Sequence, residues 1–486
     1  MRVHRRQFLI GPLPAAEAED WIVHPLSPGV YLSYDPELPV HHGQDCLLLG
    51  VAFETDPDRP AIGEQLLAGA GSLRTGSWTG RWILIRGDML ELDATGTLGC
   101  LTRMVDGALW ASSSPELLRT RAPALDPPAD LLTHEKGMDW YPAPGSGIPG
   151  IRRLLPTQRL RLSDGGLETR PLLPPPPTER SYDELLDALE RRLTTALRAV
   201  GSAGGVTFLP LSGGRDSRTV LAAAAAARLD LQAYTLALPD QERGDRELPP
   251  KLARAAGYEH RMIAAAQIDP ERLARWDRHT GSHCVDVDRR FYACGQLDPV
   301  AGSGVDLGGG VFETGRCYYH GGLPDALPAT ADDTGELLLR AFRTSRPDDL
   351  REWARWLHST HDPAIDWRDR FYVEQRAAAW LSTVAQGLDL AGVPRMHVAN
   401  CADYLSETLA IGVDVRRAGY HHDHLVRRMA PGLAGFPFNP PASLRVRISR
   451  RVAHELDAYR SEPSPRQYLN ARARRLAERR AARRLG

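Results

Sequence analysis

The residues best placed to do chemistry form a short loop, Ser-Gly-Gly-Arg-Asp-Ser at 212–217. The loop joins an apolar strand pattern at 206–211 to an alanine-rich helix pattern from 217 to about 228. Its two glycines permit a sharp bend that turns backbone N–H groups toward an anion, and the start of the helix adds the positive end of its dipole. The serines add hydroxyl donors, and the aspartate can hold Mg²⁺. The arrangement predicts a phosphate-binding site, whereas an isolated Ser-Gly-Gly would be no more than a tight turn.

This loop is not a Walker P-loop, because the G-x-x-x-x-G-K-[ST] pattern requires a lysine and the only lysines in the chain are Lys136 and Lys251. It resembles the S-G-G-x-D-S loop of the ATP pyrophosphatase superfamily, whose members cleave ATP between its α and β phosphates. The resemblance implies that ATP and Mg²⁺ bind here. The residues that it assigns to ATP and pyrophosphate are Leu211, Ser212, Gly213, Gly214, Arg215, Asp216 and Ser217.

The segments around the loop predict the elements that position it. An amphipathic helix pattern runs from 181 to about 200, with Ser181 and Glu184 as a capping box, and a second apolar strand follows at 231–238. A strand, a helix and a strand in this order make a parallel βαβ unit, which predicts a doubly wound α/β domain.

The part of the chain before this unit is rich in short β-patterns separated by Gly, Pro and Asp turns, which predicts a sheet-rich α+β domain. Four prolines at 174–177 form a stiff, extended spacer. We therefore expect a first domain at 1–173, a linker at 174–180 and a second domain at 181–486 with a helical C-terminus.

Composition argues against several classes of protein. Charged residues make up 25% of the 486 residues and the formal net charge is -1, so no global field recruits nucleic acid or a membrane. The apolar stretch at 8–13 is short and contains Gly11 and Pro12, which makes it a poor signal peptide. The six cysteines include no C-x-x-C pair, which argues for the reducing cytoplasm and against structural zinc.

Beyond the loop, the order and spacing of motifs resemble the asparagine synthetase family over nearly the whole chain. Tyr234 and Thr235 fall on the strand that lines the adenine pocket in that family. Residues 246–260 match its acidic segment and the helix that ends in Gly-x-x-His. The resemblance implies that the adenine of ATP binds beside Tyr234 and Thr235.

A glycine-rich stretch at 308–310 precedes Glu313, which matches the family loop whose acidic residue binds a second metal ion. The resemblance implies that Asp216 and Glu313 hold Mg²⁺, with Gly309 and Gly310 close to the phosphates of ATP. The alternative is that these glycines form a flexible surface loop.

Short segments at 80–82, 112–116 and 150–156 resemble the family's glutaminase domain, which has an Ntn-hydrolase-like fold. The nucleophile of that domain is a cysteine directly after Met1, and Arg2 stands there instead. We therefore expect no glutamine hydrolysis. Loss of this cysteine is typical of the family's biosynthetic offshoots, such as β-lactam synthetase, carbapenam synthetase and lasso-peptide cyclases, which adenylate a carboxylate and let an amine displace AMP.

Two departures set this chain apart from those offshoots. The β-lactam synthetases place a tyrosine, paired with a glutamate, before the second acidic residue, where this chain has glycines. The family also presents a lysine near its C-terminal end, and this chain has none beyond Lys251. An arginine at 445, 447, 450 or 451, with Arg447 as our candidate, would replace the charge but not the proton transfer.

Other side chains have two interpretations each. Glu374, on a predicted helix, is the candidate base that activates the amine, and the alternative is a buried Glu–Arg support pair. Arg215 and Arg218 flank the loop aspartate, where they can bind phosphate or a carboxylate, while Arg218 can instead cap the helix surface. His421, His422 and His424 lack the spacing of a zinc helix, so we expect a polar loop there.

The sequence thus predicts a cytoplasmic, AMP-forming carbon–nitrogen ligase for natural-product or peptide biosynthesis, with Glu374, Arg447 and Glu313 as catalytic residues. Its expected partners are a small-molecule or peptide carboxylate and an amine, with no membrane or nucleic acid, and a homodimer is left open. The alternatives are a lasso-peptide macrolactam cyclase and a catalytically inactive binding protein. The arginine-rich tail at 466–484 is predicted to be a solvated helix rather than a dock for RNA or an acidic peptide.

Overall fold

The computed structural model describes residues 3–14, 20–59, 61–68, 73–128, 138–237, 243–283, 287–302 and 304–438. Within these residues the chain has an α/β fold, in which antiparallel sheets come first and a parallel sheet with helices follows. The predicted fold class is confirmed. None of the helices in this part of the chain has the length and apolar character that a membrane crossing needs.

Two six-stranded antiparallel sheets lie in the first part of the chain, in the strand orders β10-β8-β9-β1-β3-β2 and β12-β11-β7-β6-β5-β4. Alternate side chains of a strand share a face, so Phe8 and Ile10 of the first sheet join the same apolar core as Ile83 and Ile85 of the second. The strands are β1 Phe8–Gly11, β2 Ile22–Ser27, β3 Val30–Tyr34, β4 Val40–His42, β5 Cys46–Glu54, β6 Trp78–Arg86, β7 Met89–Leu92, β8 Leu101–Val105, β9 Ala108–Ser112, β10 Ile151–Arg153, β11 Gln158–Arg161 and β12 Leu167–Thr169.

A five-stranded sheet follows, and all of its strand pairs are parallel. Its strands are β13 Val206–Pro210, β14 Gln232–Leu236, β15 His260–Ile263, β16 Gly304–Gly308 and β17 Arg395–His397. In the order β15-β14-β13-β16-β17, the chain moves outward from β13 on one side and then returns to the other side for β16. The carboxyl ends of β13 and β16 therefore border a topological switch point, where ligands bind in open α/β sheets.

Helices cover both faces of this sheet. Ala233 of β14 packs in one apolar cluster, whereas its neighbour Tyr234 packs with Trp276 and Phe291 in another. The α-helices are α1 Glu64–Leu67, α2 Pro115–Arg119, α3 Tyr182–Ser202, α4 Arg215–Ala227, α5 Arg243–Ala255, α6 Pro270–Thr280, α7 Val287–Ala293, α8 Ala331–Ala341, α9 Pro347–Ser359, α10 Trp367–Phe371, α11 Ser382–Ala391, α12 Ala402–Leu409, α13 Val413–Ala418 and α14 Tyr420–Met429. A π-helix, Tyr372–Leu381, joins α10 to α11.

The predicted capping box at the start of α3 is present. The Ser181 hydroxyl accepts the Glu184 N–H at 3.3 Å, and Oε2 of Glu184 accepts the Ser181 N–H at 2.7 Å. These two bonds satisfy amides that the first turn of a helix leaves unpaired. The elements α3, β13, the loop, α4 and β14 also follow one another in the predicted order.

Polar contacts join the sandwich of antiparallel sheets to the parallel-sheet part. The Asn400 side-chain amide donates to the Gly80 carbonyl at 2.6 Å and to Oδ1 of Asp93 at 2.8 Å. All three groups are buried, so separation of the two parts would break these hydrogen bonds and expose the groups to water. The domain boundaries at 1–173, 174–180 and 181–486 stay a prediction.

Candidate functional site

A cavity of about 330 Å³ lies at the switch point between β13 and β16. Six of the residues that the sequence assigns to ATP or metal border this cavity, namely Ser212, Asp216, Ser217, Gly309, Gly310 and Glu313. The other bordering residues are Pro210, Asp288, Gly308, Tyr318, Tyr372, Arg376, Trp380, Leu381, Val384, Arg395 and His397. Two segments that are about 100 residues apart in the chain thus meet at one site.

The loop at 212–217 has the geometry of an anion-binding turn. The Ser212 and Ser217 hydroxyls are 3.0 Å apart, and the Ser212 hydroxyl also accepts the Gly214 N–H at 3.2 Å. The Gly213 N–H donates to Oδ1 of Asp245 at 2.8 Å, so this amide already holds a negatively charged oxygen. A phosphate oxygen that used the same amide would have to replace the Asp245 carboxylate.

Gly309 provides a close backbone approach between the end of β16 and the start of α4. A Cβ atom at this position would lie 2.9 Å from Cβ of Asp216 and 3.3 Å from the backbone nitrogen of Ser217. At Gly310 a Cβ would lie 2.9 Å from Leu381. The glycines at 308–310 therefore pack against neighbouring elements, which disfavours the alternative of a flexible surface loop.

The two predicted metal-binding carboxylates have different partners. Nη1 of Arg316 donates to both oxygens of Asp216, at 2.9 and 2.8 Å. The Tyr372 hydroxyl donates to the Gly310 carbonyl at 2.6 Å and lies 3.2 Å from Oε2 of Glu313. Asp216 is thus already paired with a cation, whereas the hydrogen-bond partner of Glu313 among the described residues is a neutral hydroxyl.

Burial controls the ionisation of both carboxyl groups. It raises the pKa of Asp216, and the Arg316 guanidinium opposes that rise. It also raises the pKa of Glu313, which the nearby charge of Asp216 raises further. Two carboxylates that repel each other in a cavity favour binding of a cation between them.

The donor atoms at this site fit Mg²⁺, because Mg²⁺ prefers oxygen and the cavity offers the carboxylates of Asp216 and Glu313 beside the Ser217 hydroxyl. Arg316 holds both oxygens of Asp216, so binding of Mg²⁺ to Asp216 would require this arginine to release at least one of them. The assignment of Mg²⁺ to Asp216 and Glu313 stays a prediction.

Tyr234 and Thr235 do not border the cavity, and the adenine-pocket assignment stays a prediction. The Tyr234 hydroxyl is buried and donates to Oδ1 of Asp306 at 2.9 Å. The Thr235 hydroxyl donates to the Leu211 carbonyl at 2.7 Å, and the Leu211 N–H donates to the Tyr234 carbonyl. These bonds fix the end of β13 and so position the loop indirectly.

Glu374 also lies outside the cavity lining. Its carboxylate is fully buried and accepts bonds from the Thr157 hydroxyl at 2.5 Å and from Nε1 of Trp353 at 2.8 Å. Nε of Arg370 lies 3.2 Å from the same carboxylate. These contacts favour the alternative of a buried Glu–Arg support pair, since an amine-activating base must reach its substrate, and the catalytic assignment stays a prediction.

The arginines beside the loop aspartate do not border the cavity, and their assignment to phosphate stays a prediction. Nε of Arg215 donates to Oδ1 of Asp423 at 3.0 Å. Arg218 is fully buried and donates to the carbonyls of Phe436 at 2.7 Å and Pro437 at 2.8 Å. Burial lowers the pKa of Arg218 to about 10. The candidate Arg447 and the tail at 466–484 lie outside the described residues.

The histidines at 421, 422 and 424 belong to α14 rather than to a polar loop. His421 and His422 are buried against the parallel-sheet core, where Nδ1 of His422 lies 2.9 Å from the Thr219 hydroxyl. His424 instead contacts the Tyr182 hydroxyl at 2.9 Å. The absence of a zinc-helix spacing was therefore not evidence of a loop.

Three cavity residues that the sequence did not assign come from one face of the π-helix, namely Tyr372, Arg376 and Trp380. The Arg376 guanidinium lies 3.6 Å from the centroid of the Trp380 ring. Their spacing of four residues was the available signal, because side chains four apart share a helix face. The sequence argument followed Glu374 instead, which belongs to the opposite, buried face.

Two further cavity residues come from β17, and no local pattern marks them. Nε of Arg395 donates to Oδ2 of Asp306 at 2.6 Å, which neutralises this arginine. The buried His397 accepts the Gly310 N–H at its Nδ1 at 3.2 Å, and burial lowers its pKa to about 3. His397 therefore contributes a neutral imidazole to the cavity.

No protein-family model matches the chain, and no curated protein matches it either. Among solved structures, the chain is similar to one described as the structure of NMN synthetase from Francisella tularensis. This match has 14% sequence identity and a TM-score of 0.21, and it covers 40% of this chain and 94% of that chain. A likeness at this TM-score carries no argument about function.

Proposed function

We propose that the chain is an ATP-dependent, AMP-forming amide synthetase. The observation that carries this proposal is the convergence, at one switch-point cavity, of a Ser-Gly-Gly-x-Asp-Ser turn at a helix N-terminus with the carboxylate Glu313. The turn supplies amide and hydroxyl donors for phosphate oxygens, and the carboxylates supply a cation site. The proposal includes membership of the ATP pyrophosphatase superfamily in an asparagine-synthetase-like branch.

The proposed reaction has two steps. An oxygen of the substrate carboxylate attacks the α-phosphorus of ATP, the bond from this phosphorus to the bridging oxygen breaks, and pyrophosphate leaves. The amine nitrogen then attacks the acyl carbon of the resulting adenylate, AMP leaves with the carboxylate oxygen, and the amine loses a proton. The chain contributes proximity and charge stabilisation rather than a covalent nucleophile.

The side chains have separate roles in this scheme. Ser212 and Ser217, with the loop amides, bind pyrophosphate oxygens, and Asp216 and Glu313 would hold Mg²⁺, which neutralises phosphate charge when it is bound. Arg316 compensates Asp216 before the nucleotide enters and is close enough to the cavity to pair with a phosphate afterwards. Arg376, packed on Trp380, offers the acyl substrate a cationic contact.

The first test is binding of ATP to the full chain, measured by calorimetry with and without Mg²⁺. We expect Asp216→Asn to weaken Mg²⁺-dependent binding at least tenfold, because it removes a negative ligand without changing the side-chain volume. The matched control is Asp332→Asn, which changes an exposed aspartate in the first turn of another helix, α8. Equal affinity in wild type and Asp216→Asn would refute the loop assignment.

The second test is exchange of labelled pyrophosphate into ATP across a panel of amino acids, small carboxylic acids and peptides. We expect exchange with at least one carboxylate and AMP as the nucleotide product. Formation of ADP and phosphate would contradict cleavage at the α-phosphorus. Absence of any nucleotide binding would favour the alternative, a catalytically inactive binding protein.

A further inference from the structure

A second group of potential ligands lies behind the cavity, separate from its carboxylates. The side chains of Cys317, His320 and Asp369 each place one ligand atom within 4.8 Å of the other two. All three residues are buried. Nε2 of His320 lies 3.0 Å from Oδ1 of Asp369, and Nδ1 of His320 has no hydrogen-bond partner among the described residues.

The fold brings these three residues together from two segments. Cys317 directly follows the 3₁₀ segment Gly310–Arg316 and has a φ of 57°, in the left-handed region. The turn that it begins is closed by the His320 N–H, which donates to the Cys317 carbonyl at 3.1 Å, so both side chains reach the same place. Asp369 comes from α10, immediately before the π-helix.

The geometry and the donor atoms point to a transition-metal cation. In a tetrahedral zinc site, with Zn–S of about 2.3 Å and Zn–N of about 2.0 Å, ligand atoms lie roughly 3.5 Å apart. Separations of no more than 4.8 Å can reach this value through shifts of about 1 Å or less per side chain. Thiolate, imidazole and carboxylate together suit Zn²⁺, whereas Mg²⁺ and Ca²⁺ prefer oxygen alone.

The groups around the cluster fit the same interpretation. Nη1 of Arg416 donates to Oδ2 of Asp369 at 3.0 Å, which leaves Oδ1 directed at His320. Metal-binding carboxylates are commonly oriented by such an outer hydrogen bond. Asp366 lies further away, with Oδ1 at 3.9 Å from Nε2 of His320, and its carboxylate is held by Arg368.

We propose that Cys317, His320 and Asp369 form a zinc-binding site with three protein ligands and one open position. The site would connect the segment that carries Glu313 and Arg316 to the helix that carries Tyr372. Bound Zn²⁺ would thus fix both walls of the cavity from behind, without entering the reaction. The sequence argued against structural zinc because its cysteines include no C-x-x-C pair, and a site whose aspartate lies 49 residues from His320 leaves no such local pattern.

The test uses the untagged full chain, stripped with a chelator and titrated with Co²⁺ as a spectroscopic probe. We expect one equivalent to bind, with a thiolate-to-cobalt charge-transfer absorption that Zn²⁺ abolishes. Cys317→Ser should lose this absorption and at least 90% of the binding, whereas the control Cys294→Ser, at another buried cysteine, should retain both. Added Zn²⁺ should raise the Tm of the wild type but not that of Cys317→Ser.

Two results would overturn the proposal. One is failure of the folded wild type to bind Co²⁺ or Zn²⁺ in excess, which would leave the contact as an imidazole–carboxylate hydrogen bond. The other is equal binding by Cys317→Ser and wild type, which would place the metal elsewhere. If Cys317→Ser does not fold, the wild-type absorption still requires a cysteine ligand, and single serine variants of the other five cysteines decide which one it is. A band that all five variants retain assigns the ligand to Cys317, and a band lost in one of them overturns the proposal.

Discussion

Replacement of Gly309 by alanine should separate the two segments that form the cavity. The new Cβ would lie 2.9 Å from Cβ of Asp216 and 3.2 Å from its carbonyl carbon, whereas carbon atoms in contact prefer 3.5–4.0 Å. The end of β16 must therefore move from α4 by roughly 0.6–1.1 Å. The φ of Gly309 is -99°, which alanine adopts readily, so the effect is steric and not one of backbone strain.

Both affinity and stability should respond to this shift. Overpacking of this size costs about 1–3 kcal/mol, and a displacement of about 1 Å at a reacting site can cost about a hundredfold in rate. We expect the Kd for Mg²⁺–ATP to rise about tenfold or more by calorimetry, and the Tm to fall by a few degrees. The control is Gly322→Ala, where a Cβ meets nothing within 4 Å. An unchanged Kd in folded Gly309→Ala would refute the close approach as a part of the nucleotide site.

Three more perturbations separate binding from stability. Glu374→Gln should lower the free energy of unfolding by about 1–3 kcal/mol in urea titrations, because it disturbs a buried carboxylate that has several hydrogen-bond partners. Loss of amide formation with pyrophosphate exchange retained would instead support the role of Glu374 as the base that activates the amine. Arg316→Met should raise the pKa of Asp216 further, because it removes the cation that favours the ionised carboxylate. The Kd for Mg²⁺–ATP should then fall with rising pH, but over a range of higher pH values than in the wild type. A pH profile identical to that of the wild type would contradict the ion pair. Acid should destabilise the fold, since burial lowers the pKa of His279 and His397 to about 3. In the unfolded state these histidines have a pKa near 6.5, so the unfolded state binds more protons than the folded state between about pH 3 and pH 6.5. Their contribution to the free energy of unfolding is therefore complete above about pH 6.5 and is lost as the pH falls, by about 2 kcal/mol for each histidine at pH 5 relative to pH 7. Urea titrations that showed no such loss would contradict the burial of these histidines.

The sequence could predict those parts of the site that are local in the chain. The loop at 212–217 follows from residue types within one turn, and the strand and helix around it follow from apolar patterns of five to thirteen residues. Glu313 was found because it follows three glycines. Gly309 borders the cavity, but its contact with Asp216 depends on the order of strands in the sheet, which periodicity does not encode.

The remaining parts depend on contacts between distant segments. Glu374 has the chemistry of a base, and its contacts with Thr157, 217 residues away, and with Trp353 show that its carboxylate is already paired. Tyr234 lies within β14, and its adenine role was an inference from resemblance, whereas its bond to Asp306 depends on the pairing of distant strands. The spacing of four residues could have identified Arg376 as a neighbour of Trp380. It could not have shown that the Arg376 guanidinium also lies over the ring of Trp140.

The charges around the cavity fit the proposed binding of a polyphosphate by a chain with so few lysines. Arg316 is held by Asp216 at 2.8 Å, and Arg395 is held by Asp306 at 2.6 Å, so neither presents a free charge before ligand enters. Arg376 differs, because its guanidinium packs on aromatic rings and its carboxylate contact, to Asp139, is longer at 3.3 Å. An arginine that keeps its charge at any physiological pH can attract an anion but cannot donate a proton to it. In the proposed reaction this arrangement would stabilise the negative charge of departing pyrophosphate or AMP, and the proton released by the amine would pass to solvent or to a carboxylate.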